Sequence, residues 1–273
     1  MPEQAPKLDL RALAQRNFRT PNSCVGALDI IERYASDPPA VIGTLLEAVR
    51  PEQPDGRICE LGFGTGWLLE AMNSAFPDAR LYGLDMSPGM TAHARETLGP
   101  GVGLVRGDME QLPVGEHRFD VAVTCWTLYF MRDIDGALSE IKRMLRPGGR
   151  LVVAANAPDH MLELDELSLT ARRAVLDDEE PDIGPRFDLE SGLPYMRRHF
   201  QQVEVNEWEG RMVLPDAAPL VRLWELQYAP DLAGEARERV RAEFVRRAEA
   251  WAARDGEIRI TRHGGAFVGY KES

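Results

Sequence analysis

The sequence predicts an α/β fold, and three observations carry it. A glycine-rich turn lies between an apolar strand and a helix, a carboxylate ends the next strand, and strand-like and helix-like segments go on alternating to about residue 155. The first is Glu60-Leu61-Gly62-Phe63-Gly64-Thr65-Gly66. Ahead of it, Arg57 to Leu61 reads as a short buried strand, and Trp67 to Met72 reads as the start of a helix. Glycines at such a turn let a nucleotide-type ligand approach the backbone closely.

A dinucleotide fingerprint has the order G-x-G-x-x-G, its last glycine packing helix against strand. Here that position is Trp67, so the spacing argues against a nicotinamide dinucleotide. The second observation is Leu81-Tyr82-Gly83-Leu84, a strand that Asp85 terminates roughly 20 residues beyond the glycines, where a ribose-binding acid belongs. Ionised Asp offers acceptor oxygens to both hydroxyls of a diol. Ser87-Pro88 supplies the cap and first turn of the following helix, which leaves Asp85 for a ligand. Next come a strand at Leu104 to Met109 with Asp108 near its end, and a central strand at Phe119 to Thr124. The run Cys125-Trp126-Thr127-Leu128-Tyr129-Phe130 follows, then a helix stopping at Leu145-Arg146-Pro147-Gly148-Gly149 before a strand at Arg150 to Ala154.

Taken in order, these segments resemble the class I S-adenosylmethionine (SAM)-dependent methyltransferases, whose first motif is written E/D-x-G-x-G-x-G. The resemblance covers residues 57 to 155. It implies a Rossmann-like fold, a doubly wound, mostly parallel seven-stranded sheet with an antiparallel last strand. It also implies SAM as cofactor and S-adenosylhomocysteine as product. By the same resemblance Glu60, Gly62, Gly64 and Gly66 form the first motif and Asp85, beside Met86, takes the ribose. Asp108 accepts from the adenine amino group and Met109 packs on the ring. Cys125 and Trp126 stand where the methionine portion meets the acceptor, and an aromatic there can contact the sulfonium. Core packing is the alternative for Trp126 and Tyr129.

Composition narrows the class. A chain of 273 residues with 44% apolar content can bury a large core. No apolar run reaches membrane-spanning length and Met1-Pro2-Glu3-Gln4 does not open a signal peptide, so a cytoplasmic protein is expected. Cys24, Cys59 and Cys125 lack metal spacing and read as free thiols. A net charge of −12 argues against a nucleic-acid partner, which needs a basic field. Arginines such as Arg237, Arg239 and Arg241 alternate with acids as on a solvated helix face.

Outside the core, residues 1–50 read as a helical lid with helices at Leu8–Phe18, Asn22–Tyr34 and Pro38–Val49. Phe18, Arg19 and Tyr34 are placed to close over the cofactor. Residues 51–273 form the methyltransferase core, with helical cover insertions at about 158–200 and 215–254. The first holds an amphipathic stretch from Met161 to Leu176, an acidic turn at Asp177 to Asp182 and a helix from about Leu189 to Phe200. The second holds two helices separated near Tyr228-Ala229-Pro230. Tyr195, Trp208 and Trp224 either line an acceptor pocket or pack the core. A strand from Gln202 to Trp208 is expected, then a terminal hairpin, Glu257–Thr261 and Ala266–Lys271, around Arg262-His263-Gly264-Gly265.

The expected activity is methyl transfer to an O, N or C atom of a small organic acceptor, by in-line displacement in which the protein mainly positions and desolvates. His160, soon after strand five, is the candidate general base. His263 is a weaker one, while His93, His117 and His199 read as surface. No metal site is expected. A protein or peptide methyltransferase, and a SAM-binding protein that does not methylate, stay open on the same fold. A helical cover also leaves a homodimer open.

Overall fold

The computed structural model describes residues 14, 18, 20–176, 187–227 and 232–272. Its centre is a seven-stranded sheet in the order β3-β2-β1-β4-β5-β7-β6. The strands are β1 (Arg57–Leu61), β2 (Arg80–Asp85), β3 (Gly103–Arg106), β4 (Phe119–Cys125), β5 (Leu145–Asn156), β6 (Gln202–Leu214) and β7 (Ile258–Tyr270). The first five are parallel, and β7 is antiparallel to both its neighbours. In β1 and β4 nearly every residue is buried, as expected of strands with helices on both faces.

Helices α1 (Asn22–Tyr34) and α2 (Pro38–Val49) precede the sheet. Between its strands lie α3 (Trp67–Ala75), α4 (Pro88–Leu98) and α5 (Ile134–Met144). The buried side chains of α5, Ile134, Ala137, Leu138, Ile141 and Met144, recur every three or four residues and form one apolar stripe. Asp133 caps that helix by accepting from Gly136 N at 2.9 Å. Two apolar clusters result, one per sheet face: Leu45, Leu68, Met72 and Met90 pack one side, Leu138, Ile141, Met196 and Phe200 the other.

The additions build a third cluster. Helices α6 (Leu162–Arg173), α8 (Ala217–Gln227) and α9 (Gly234–Asp255) pack with α1 against Met212, Leu214, Ile258 and Ile260 at the far ends of β6 and β7. Helix α7 (Gly192–His199) starts three residues after the expected Leu189, and Pro194 falls in its first turn, where a missing N–H breaks no helical bond. Of the expected helix Leu8–Phe18 only Ala14 and Phe18 are among the described residues; the acidic turn Asp177 to Asp182 lies outside them. No described helix is long and apolar enough to cross a membrane.

The terminal hairpin is overturned. Residues 258–270 form one unbroken strand whose register with β6 runs from Leu214↔Ile258 to Gln202↔Tyr270. The glycine pair marks a crossing, not a turn: a Cβ on Gly264 would lie 3.0 Å from Ala155 O and 3.0 Å from Trp208 Nε1. β6 likewise continues past the expected Trp208 to Leu214.

Asp37 sits at the N-cap of α2 yet makes no capping bond. Its buried carboxylate accepts from Arg262 Nε at 2.8 and 3.0 Å, 225 residues along the chain. Gly210, in register with Arg262, makes room, since a Cβ there would collide with the Asp37 side chain. Gly210→Ala therefore forces α2 away from the sheet, and equilibrium urea unfolding should show a loss of about 1–3 kcal/mol, the usual cost of overpacking.

Candidate functional site

The glycine turn is built as a cradle. Gly62, Gly64 and Gly66 all have positive φ, at 70°, 55° and 84°, conformations that side chains rarely adopt. Gly62 N donates to Leu84 O at 2.7 Å, which ties the turn to β2. A Cβ on Gly64 would meet nothing within 4 Å, so the turn opens on empty space there. Gly66 is different: it does not line the cavity but stands at the N-cap of α3.

Asp85 closes the cradle from the next strand. Its Oδ2 accepts from Gly64 N at 2.9 Å and its Oδ1 from Ser87 N at 2.7 Å. Each oxygen keeps a further lone pair for a ligand. Ser87 caps α4 through Met90 N at 3.2 Å, as its sequence position indicates, and its hydroxyl also donates to Phe18 O at 2.7 Å. Met86, Asp108 and Met109 line the same cavity, Asp108 in the turn after β3 with Oδ1 accepting from Glu110 N at 3.0 Å. Cys125 ends β4, and Trp126 beyond it has positive φ. The Trp126 ring leans on Trp67 at 6.1 Å and its Nε1 donates to Asn156 Oδ1 at 2.8 Å.

The electrostatics of this end are those of desolvated acids. Burial pushes the Glu60 carboxyl well above its ordinary range, the Asp85 charge adds to the push, and a Leu69 backbone N–H opposes it. Glu60 Oε2 is buried without a partner among the described residues. Burial also raises Asp85, against the opposing bonds from Ser87 and Gly64. The Cys125 thiol is raised well above its ordinary value by burial and then by Glu60, so it stays neutral.

At the other end of the cavity lie Asn156, His160, Trp208 and Arg262. Burial, then the Arg262 charge, lowers His160 to about 4. Its Nδ1 lies 2.8 Å from His263 O and 3.2 Å from His263 N; the shorter contact is a donor's, and in the tautomer that makes it Nε2 is the unprotonated nitrogen. His263 is engaged, its two ring nitrogens 2.8 Å from Asp159 and 3.2 Å from Glu207. Burial opposes its charge, but those carboxylates outweigh it and raise its pKa.

Three aromatic expectations separate. Trp208 lines the cavity, whereas Trp224 is core, stacked on Phe244 at 4.8 Å with its Nε1 on Ser168 Oγ. Tyr195 packs against Phe187 outside the lining. Phe18 lines the cavity and meets Phe130 at 5.6 Å; Tyr34 packs in the third cluster, and Arg19 lies outside the described residues. Arg262 and Asn156 were not legible as site residues, because only the register of β5, β7 and β6 brings them beside Trp208.

Residues 59–153 match the family model described as a methyltransferase domain. By that match this segment is a methyltransferase domain. The malonyl-[acyl-carrier protein] O-methyltransferase of Methylococcus capsulatus is 38% identical over 64 residues, 23% of this chain and 23% of that protein. The chain thus spans under a quarter of that curated relative's length. Among solved structures, the YcgJ protein of Bacillus subtilis superposes with a TM-score of 0.58 at 17% identity, over 86% of this chain and 99% of that one. The [4+2]-cyclase SpnF gives 0.54 at 19% identity, over 86% and 81%.

The methyltransferase domain fits SAM, the cofactor of its class. The open turn at Gly64 admits an adenosine, Asp85 has acceptor capacity to spare, and the orphaned Glu60 Oε2 suits a cation. Two outcomes follow from these contacts. Asp85→Ala should weaken SAM binding by about 1–3 kcal/mol in calorimetric titration. Burial raises the Glu60 carboxyl, so an incoming cation should favour its ionised form. SAM binding should therefore release protons wherever the free protein holds Glu60 protonated and tighten as pH rises through that range, a release that Glu60→Gln abolishes when heats are compared in two buffers.

Proposed function

We propose that the protein transfers a methyl group from SAM to an O, N or C atom of a small organic acceptor by in-line displacement. One observation carries the reading: a single cavity of about 2490 Å³ joins the glycine turn, Asp85 and Asp108 to a chamber containing Trp208 and Arg262. Ordinary small-molecule sites span roughly 300–1,000 Å³, so this space accommodates a cofactor and an acceptor together. The helical additions supply its walls, α1 through Ala27 and Ile31, α8 through Leu226 and Gln227. Such cover, with the net charge of −12, supports a compact molecule over a nucleic acid or an extended peptide.

The cofactor, when bound, supplies an activated methyl on a sulfonium. Asp85 holds the ribose hydroxyls, Asp108 the adenine amino group, and Met109 packs beside the ring. Glu60 balances positive charge, and the Trp126 indole offers its face to a cation. The protein's main contribution is to hold the acceptor in line and keep water out. His160 Nε2 takes a proton where the nucleophile carries one; it is a weak base but stays neutral down to about pH 4, so it is always in the accepting form near neutrality.

The fold is shared with a protein named for cyclisation, so binding alone does not decide activity. Release of labelled methyl to a panel of phenols, amines and carboxylic acids decides it: transfer supports the proposal, whereas SAM binding with no transfer favours the non-methylating reading. With a reactive acceptor found, His160→Asn should lower kcat by about 10- to 100-fold and leave S-adenosylhomocysteine affinity within twofold. The wild-type rate should show no His160 limb from pH 5.5 to 8, since its pKa is lowered to about 4 and activity is lost only as pH falls toward that value.

A further inference from the structure

We propose that the far end of the cavity grips a carboxylate of the acceptor through Arg262, Trp208 and Asn156; this rests on reading the cavity as the cofactor and acceptor chamber. The Arg262 side chain is only 9% exposed, and its Nε donates to Asp37. Neither terminal guanidinium nitrogen has a hydrogen bond among the described residues, and neither is sealed from open space. The end of the fork therefore opens on the cavity that Arg262 lines.

Two further donors converge there. Trp208 is 6% exposed and lines the cavity, and its indole N–H is likewise unpartnered among the described residues and unsealed. The Asn156 oxygen is occupied by Trp126 Nε1, which turns its NH2 outward as a donor with no partner among the described residues. Asn156 and Trp208 are both register partners of Gly264, one on β5 and the other on β6. Arg262 lies two residues along β7 and so shares that face. Gly264 has no side chain to fill the space between them.

A patch of donors selects a group that only accepts. The paired N–H groups at the end of a guanidinium match the two oxygens of a carboxylate. Asp37 fixes the fork by its Nε edge and cancels its formal charge, so the grip depends on directed hydrogen bonds. Three inter-strand steps separate β1 from β7, roughly 14 Å, which places the grip beyond the glycine turn on the acceptor's side.

The test is calorimetric titration of the full chain, loaded with S-adenosylhomocysteine, using decanoate and its neutral analogues methyl decanoate and decanamide. Decanoate should bind at least tenfold more tightly than either. The double variant Asp37→Asn/Arg262→Gln, which leaves no unpaired buried charge, should lose that preference. Trp208→Phe, which leaves the ion pair intact, should weaken decanoate about fivefold or more. Both variants should keep S-adenosylhomocysteine affinity within twofold. Equal binding of acid and ester, or full decanoate affinity in variants that still bind S-adenosylhomocysteine, would overturn the proposal. If the wild type fails to bind S-adenosylhomocysteine, the cofactor reading falls, and the acid-over-ester preference of the unloaded protein still decides the grip.

Discussion

The Asp85 carboxylate, with one oxygen on Gly64 N–H and the other on Ser87 N–H, sets the geometry that the rest of the cofactor end inherits. It joins the turn after β1 to the head of α4, two segments that parallel strands alone would leave unconnected at their tips. Ser87 carries the linkage outward, capping α4 while its hydroxyl holds the Phe18 carbonyl. One buried acid thus couples the floor of the site to the segment above it. The cost is desolvation, seen in the raised pKa of Asp85 and, more strongly, of Glu60 beside it.

The two ends of the cavity have opposite chemical character. Around the glycine turn the side chains are acceptors and acids, suited to hydroxyls, an amino group and positive charge. Around Gly264 they are donors, with His160 Nε2 as the neighbouring acceptor. The contrast follows from origin: strand ends of the parallel half supply the first, while α2, β6 and β7 supply most of the second.

Legibility in the sequence follows the same division. Strands β1, β2 and β4 and the cap at Ser87 are local features, written in apolar runs and in residues a few positions apart, and the structure places them where the sequence does. The class of fold was equally plain, because successive strand and helix signals occur in order. The pairing of β7 was not. Gly264-Gly265 reads equally well as a turn and as a close crossing, and only the indole of Trp208, far away in the chain, decides between them. Asp37 and Arg262 carry no local sign of each other across 225 residues. Trp208 and Trp224 look alike in sequence, yet one borders the cavity and the other is sealed against Phe244.

The strand order has a consequence for the nascent chain. Strands β1 to β5 are contiguous from residue 57 to 156 and pair with one another, so they can assemble as soon as they leave the ribosome. β6 has β7 as its one neighbour in the sheet, and two helices are synthesised between them. Apart from the bridge that Ala35 makes to Met212, it waits without a strand partner among the described residues until β7 slots in beside β5. Glu204, Glu207 and Glu209 along β6 guard that interval, since charges on a bare edge discourage pairing with other chains. The order of synthesis therefore brings the glycine turn and Asp85 together first and completes the Arg262 end of the cavity last.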